Sequence, residues 1–152
     1  MPAVRYRSHM ELALAEASAA AARGEVPIGA VIVGPAGQVL ASAGNRTREH
    51  SDPTAHAEIL AIRAACLALG AERLEGCDLH VMLEPCAMCA AAISFARLRR
   101  LYFGAPDPKG GAVENGVRFF ASPTCHHAPE IYGGIDAARA GEMLRAFFAE
   151  RR

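Results

Sequence analysis

Four residues of this sequence, His56, Glu58, Cys86 and Cys89, have the types and spacing to do chemistry together. Cys86 and Cys89 follow Pro85 at positions i and i+3, so on one helical turn they share a face and can grip the same ion. Thiolates are favoured at a helix N-terminus, where unpaired N–H groups and aligned peptide dipoles offset negative charge. The stretch from His56 to Cys86 is long enough for a helix, a loop and a strand. One crossover can therefore bring the two helix starts together and make His56 the third ligand.

A structural zinc normally closes with four protein ligands, whereas this set readily supplies three and leaves the fourth position to water. Zinc lowers the pKa of such a water to about 7, which makes hydroxide available as a nucleophile. Glu58 lies two residues beyond His56, a spacing that separates side chains in mid-helix. In a first turn the side chains lean toward the N-terminus, so Glu58 can sit beside the water and act as general base and acid without ligating the ion. Each feature is weak alone: CxxC is common, a histidine on an apolar helix is usually packed core, and a first-turn glutamate often only decorates the dipole. Jointly, His-Ala-Glu at one helix start and Pro-Cys-Ala-Met-Cys at the next specify a catalytic centre with one Zn2+ per subunit.

The elements that must position these residues follow from periodicity and punctuation. Ser8 and Glu11 form a capping-box pattern, after which Met10, Ala13, Leu14 and Ala17 recur at helical spacing until Gly24. Residues 26–33 and 38–43 are rich in Val and Ile and flank Gly34-Pro35-Ala36-Gly37, which predicts a hairpin. Asp52-Pro53-Thr54 opens a second helix near His56 that runs to Gly70. A strand at 79–83, a helix at 86–96 and a strand at 101–103 come next. Residues 105–125, with two prolines and three glycines before Val117, predict a long loop with one helical turn at 117–120. Ile131-Tyr132 adds a fifth strand, and Asp136 is placed to cap a last helix reaching Phe148. Alternating β and α elements predict a mostly parallel sheet with helices on both faces and the site beyond the carboxyl ends of the strands.

At 152 residues the chain suits one domain, 1–152, able to bury roughly 70% of its unfolded surface without disulfides. Five cysteines, an odd number, and an N-terminal segment interrupted by Glu11 and Glu16 point to a reducing cytoplasm rather than a secretory route. No apolar run reaches the roughly 18 residues of a membrane span. Formal charge is zero overall, yet residues 1–96 carry net −3 and residues 97–152 net +3, which leaves room for a local basic surface. Arg97, Arg99 and Arg100 read either as a solvated helix end or as phosphate contacts. Cys125, His126 and His127 lack a further ligand cluster and read as a contact loop rather than a second metal site. Cys66 and Cys77 read as small apolar fillers.

The pair H-x-E and P-C-x-x-C is the signature of zinc-dependent nucleobase deaminases. Further segments carry a resemblance: Glu25-Val26-Pro27-Ile28-Gly29-Ala30, Asn45-Arg46, Asp52 through Glu58, Leu83 through Cys89, and Phe103-Gly104-Ala105 with Asp107, Lys109 and Gly110. Over nearly the whole chain these resemble the bacterial tRNA adenosine deaminases of the zinc-dependent cytidine/deoxycytidylate deaminase superfamily. The resemblance implies an α/β, three-layer cytidine-deaminase-like fold, a mixed five-stranded sheet with helices on both faces, in a homodimer. It implies hydrolytic deamination of adenosine to inosine at the wobble position, with the anticodon stem-loop of an arginine tRNA as partner. It also implies that Asn45 contacts the flipped nucleoside, that Glu25, Val26 and Pro27 line its pocket, that Ala57 binds substrate and that Asp107 lies against the anticodon strand. His80 and Met82 depart from the family pattern and read as packing variation on the strand before the site.

Two other functions share parts of this pattern. A free-base or nucleoside deaminase acting on guanine or cytosine uses the same metal chemistry and needs no basic groove. A purely structural zinc module has no use for a carboxylate beside an open metal position.

Overall fold

The computed structural model describes residues 9–151. Helix α1 (Met10–Ala22) leads into a hairpin of β1 (Gly29–Val33) and β2 (Val39–Gly44), followed by α2 (Ala57–Leu69), β3 (Asp78–Leu83), α3 (Ala87–Phe95), β4 (Arg100–Ala105), a single 3-10 turn at Phe119–Ala121, β5 (Glu130–Tyr132) and α4 (Ala137–Ala149). The strands form one sheet in the order β2-β1-β3-β4-β5. Strand β1 is antiparallel to both its neighbours, while β3, β4 and β5 run parallel. The sheet is therefore mixed, as the resemblance implied, and not mostly parallel as simple β/α alternation predicts. Because β1 alone is reversed, β2 and β3 still end on the same edge, with the starts of α2 and α3 just beyond them.

Strand alternation sorts the core into two layers. Ala30, Ile32, Leu79, Val81, Leu101 and Phe103 pack with Ala57, Ala61 and Ala65 of α2 and Ile93 of α3. Val31, Val33 and Met82 pack on the other face with Met10, Ala13, Leu14 and Ala17 of α1 and with Ala140 of α4. Met82 is thus fully buried against α1 and α4, and His80 is buried between His9 and Tyr102, stacked on the tyrosine at 4.6 Å. Both positions are packing positions, as expected.

Several boundaries differ from expectation for local reasons. Strand β1 begins at Gly29 rather than Val26, because Pro27 has no N–H to give a ladder and Ile28 N–H turns back to Val26 C=O at 2.8 Å. The helical turn expected at 117–120 is the 3-10 turn Phe119–Ala121. Asp136 does precede α4, but in a left-handed conformation and without a side-chain capping bond. Ser8, the expected cap of α1, lies outside the described residues. Among the described residues no helix is long and apolar enough to cross a membrane.

Helix α1 lies unusually close to the hairpin. A Cβ on Gly29 would overlap the Ala13 carbonyl oxygen and sit 2.8 Å from Ala17 N, and one on Gly44 would sit 2.7 Å from Glu16 O. Those atoms are helix backbone and cannot swing away. Gly29→Ala should lower stability by about 3 kcal/mol, the upper range for overpacking a core, and the thermal midpoint by roughly 6–12 °C, read by calorimetry. An unchanged midpoint would show that α1 can shift freely on the sheet.

Candidate active site

Both helices that follow β2 and β3 begin at a ligand. His56 is the N-cap of α2 and Cys86 the N-cap of α3, each with extended backbone and neither making a side-chain capping bond. Each side chain is turned into the space between the two helix starts instead of back to its own first turn. Cys89 joins them from the first turn of α3. The Cys86 and Cys89 sulfurs lie 3.6 and 3.5 Å from His56 Nδ1, and all three atoms fall within 4.8 Å of one another. An ion about 2.3 Å from each sulfur and 2.0–2.1 Å from nitrogen, at tetrahedral angles, sets sulfur and nitrogen about 3.6 Å apart. The spacing and the soft donor set both suit zinc, which this His/Cys/Cys cluster is able to hold as cofactor.

The proton equilibria of the cluster point the same way. A hydrogen bond from the Cys89 thiol draws the Cys86 sulfur down to about 4, with burial opposing and His56 assisting. The same bond, together with burial and the nearby Glu58, pushes the Cys89 thiol up. The His56 imidazole is raised by its bond to Cys86, again against burial. A site whose protons are already shared in this way gives them up when a divalent cation binds.

Glu58, in the first turn of α2, is only 4% exposed, and its Oε1 has no hydrogen-bond partner. Burial raises its pKa above the ordinary carboxylate range, and the charge on Cys86 adds to the shift. Buried carboxylate oxygens without partners are rare and call for a functional reason.

The remaining candidate residues divide by position. Asn45, buried at the end of β2, donates from Nδ2 to Thr47 Oγ1 at 3.3 Å. Glu25 is buried, and its carboxylate accepts the backbone N–H groups of Arg48 and Glu49, both at 3.0 Å. That bond pair ties the turn after Asn45 to the segment before β1. The side chain of Ala57 belongs to the α2 core row, so only its backbone faces the helix start. Val26 and Asp107 share a cavity of about 630 Å³ with Leu83, Leu144, Arg145 and Phe148, which does not include the zinc ligands. Pro27 is buried beside Val26.

Other expectations settle more simply. Arg99 pairs with Asp78 and Arg100 with Glu130, while Arg97 donates to the His126 carbonyl. These bonds favour the structural reading of the three arginines. Cys125 contacts Ser94 and the His127 carbonyl, and His127 bonds the Leu98 carbonyl. Among the described residues this loop does not form a second metal-binding group. Sequence reasoning passed over Glu84, whose buried carboxylate gathers five donors. Its place directly before Pro85-Cys86 was the available signal.

Purified protein should carry a single zinc per chain by metal analysis, and His56→Ala or Cys86→Ala should abolish it, because two ligands hold Zn2+ far less tightly than three. Full zinc in both variants would mean that the ion sits elsewhere.

Comparison with known proteins places this geometry. The model of the cytidine and deoxycytidylate deaminase zinc-binding region matches residues 4–105. The tRNA-specific adenosine deaminase of Agrobacterium fabrum is 67% identical over 147 residues, 96% of each chain. A structure from a study of A-to-I editing by tRNA:A34 deaminases at the wobble position of transfer RNA superposes with a TM-score of 0.89 at 67% identity, covering 91% of this chain and all of that one. The guanine deaminase of Bacillus subtilis superposes with a TM-score of 0.66 at 32% identity, covering 97% and 94%. Fold, ligand set and sequence agree: the chain belongs to the zinc-binding cytidine and deoxycytidylate deaminases, in the branch of the bacterial tRNA-specific adenosine deaminases.

Proposed function

We propose that the chain hydrolyses the exocyclic amine of adenosine at the wobble position of a tRNA anticodon, leaving inosine and releasing ammonia, with an arginine tRNA as substrate. The observation that carries the reaction type is the buried, unpartnered Glu58 carboxylate beside three converging zinc ligands. Zinc, when bound, supplies Lewis-acid activation of water at neutral pH. Glu58 takes a proton from the attacking water and passes it to ring N1 as the C6–O bond forms, then moves the remaining hydroxyl proton to the amine nitrogen, so that the C6–N bond breaks to neutral ammonia as C6=O is completed. A carboxyl group whose pKa is raised by burial suits both transfers near neutral pH.

The choice of RNA over a free base is supported by the 67% identity to a tRNA-specific enzyme across nearly the full length of both chains. Reaching the amine requires the base to leave its stack, which costs least in an unpaired loop. In this reading Asn45 and the backbone of Ala57 contact the extruded nucleoside. Val26 and Pro27 wall the pocket, Glu25 holds the turn at 47–51 in place, and Asp107 meets the anticodon strand. Five cysteines, none of them in a disulfide and two of them zinc ligands, fit a reducing cytoplasm as the place of action.

The partner subunit in the proposed homodimer covers the outer side of α2 and α3. Phe95 is 76% exposed there and lines a cavity of about 580 Å³ with Ile59, Ile62 and Ala92. Burying an aromatic side chain of that kind contributes about 1.5–3 kcal/mol. Sedimentation should show two chains per particle, and Phe95→Glu should weaken association at least about tenfold. A monomeric wild type would remove the dimer from the reading.

The function itself is tested by product detection. The zinc-loaded protein should form inosine in an arginine tRNA transcript and leave free guanine and cytosine unchanged, while deamination of the free bases alone would transfer the assignment to a base deaminase. Glu58→Ala should keep its zinc yet lose roughly 10²–10⁴-fold in turnover. Retained turnover would remove Glu58 from the proton path.

A further inference from the structure

Glu84 follows Leu83, the last residue of β3, and directly precedes Pro85-Cys86, so it stands two residues before a zinc ligand. Its side chain is only 2% exposed and turns away from the cluster toward the long loop after β4. There Oε1 accepts Asp107 N–H at 2.9 Å and Asn115 Nδ2 at 2.7 Å. Oε2 accepts the N–H groups of Val113, Glu114 and Asn115 at 3.1, 2.9 and 3.0 Å. The Pro85 carbonyl adds a sixth tie by accepting Ala112 N–H at 2.9 Å. One end of the zinc-ligand segment and both ends of residues 107–115 are thus fastened at a single ion.

Gly111 shows how closely the loop is drawn in. A Cβ there would stand 2.5 Å from Glu84 Cδ, 2.6 Å from Oε2 and 2.6 Å from the Asp107 carbonyl oxygen. The glutamate cannot swing clear without giving up its bonds, so the position has no room for any side chain.

We propose that Glu84 is a positioning residue for the nucleic-acid substrate: its carboxylate fixes residues 107–115 rigidly to the strand end that carries Cys86, and the placement of that loop sets how well substrate is held. This rests on the RNA reading above. All five partners are donors, so the residue must be acceptor-only. Glutamine presents an NH2 group, and in either orientation that group faces backbone N–H or the Asn115 amide. Glu84→Gln therefore removes acceptors without changing shape. Gly111→Ala loosens the same contact from the loop side and leaves Glu84 itself intact.

The test uses the zinc-loaded full chain, with metal content, tRNA kinetics and amide hydrogen exchange measured on each variant. Hydrogen bonds to a charged group are strong enough that E84Q should raise KM for the tRNA transcript about tenfold or more, with kcat within about threefold and zinc retained. G111A should move KM in the same direction. The Val113, Glu114 and Asn115 amides should exchange at least about tenfold faster in E84Q than in wild type. Loss of zinc, or a fall in kcat with KM unchanged, would show that Glu84 serves the metal centre and overturn the proposal. Unchanged amide exchange would overturn it equally. If wild type forms no inosine in tRNA, the functional reading falls by itself, and the exchange measurement still decides whether the loop is anchored here.

Discussion

The structure depends on bringing two helix N-termini to within one ion's reach of each other. His56 and Cys86 occupy the N-cap positions of α2 and α3, where a serine or aspartate would ordinarily satisfy the first-turn N–H groups. Giving up those caps costs each helix about 1 kcal/mol. It also leaves the positive ends of both dipoles aimed at a cluster that must carry two thiolates. The sheet order makes the convergence possible. Placing β1 between β2 and β3, and reversing it, keeps the ends of β2 and β3 on one edge while α2 and α3 share one face. The reversed strand is thus a spacer that sets the distance from His56 to the two sulfurs.

Most of this was legible in the sequence because it is written in short-range chemistry. CxxC after a proline and H-x-E at a helix start carry their own geometry, and the hairpin, α2 and β3 announced themselves by punctuation. What escaped depends on backbone atoms far apart in sequence. The reversal of β1 is a pairing choice that no local pattern encodes. The late start of β1 follows from one turn at 26–28, and the conformation of Asp136 is left-handed where a capping residue would be extended. Beyond its place before Pro85-Cys86, Glu84 left no signal for the same reason: four of its five donors are backbone amides whose identities leave no trace in the letters. Arg97, Arg99 and Arg100 could be read two ways until Asp78, Glu130 and the His126 carbonyl were seen beside them.

Three glutamates buried among the described residues show how environment divides the same functional group among different tasks. Glu25 and Glu84 are each enclosed by backbone N–H groups, which satisfy the carboxylate oxygens and turn the side chain into a fastening point for a loop. The turn at 47–51 and the loop at 107–115 are irregular segments that would otherwise have to satisfy their amides in water. Glu58 has the opposite surroundings: one oxygen is left without a donor, and burial pushes its proton affinity up. A loop anchor in that condition would be a defect, since a buried charge without partners destabilises the fold by several kcal/mol. It is tolerable only where the group spends part of its working cycle protonated, which is what moving a proton requires. In the proposed mechanism the two fastening glutamates hold still the walls of a site whose third glutamate changes its charge.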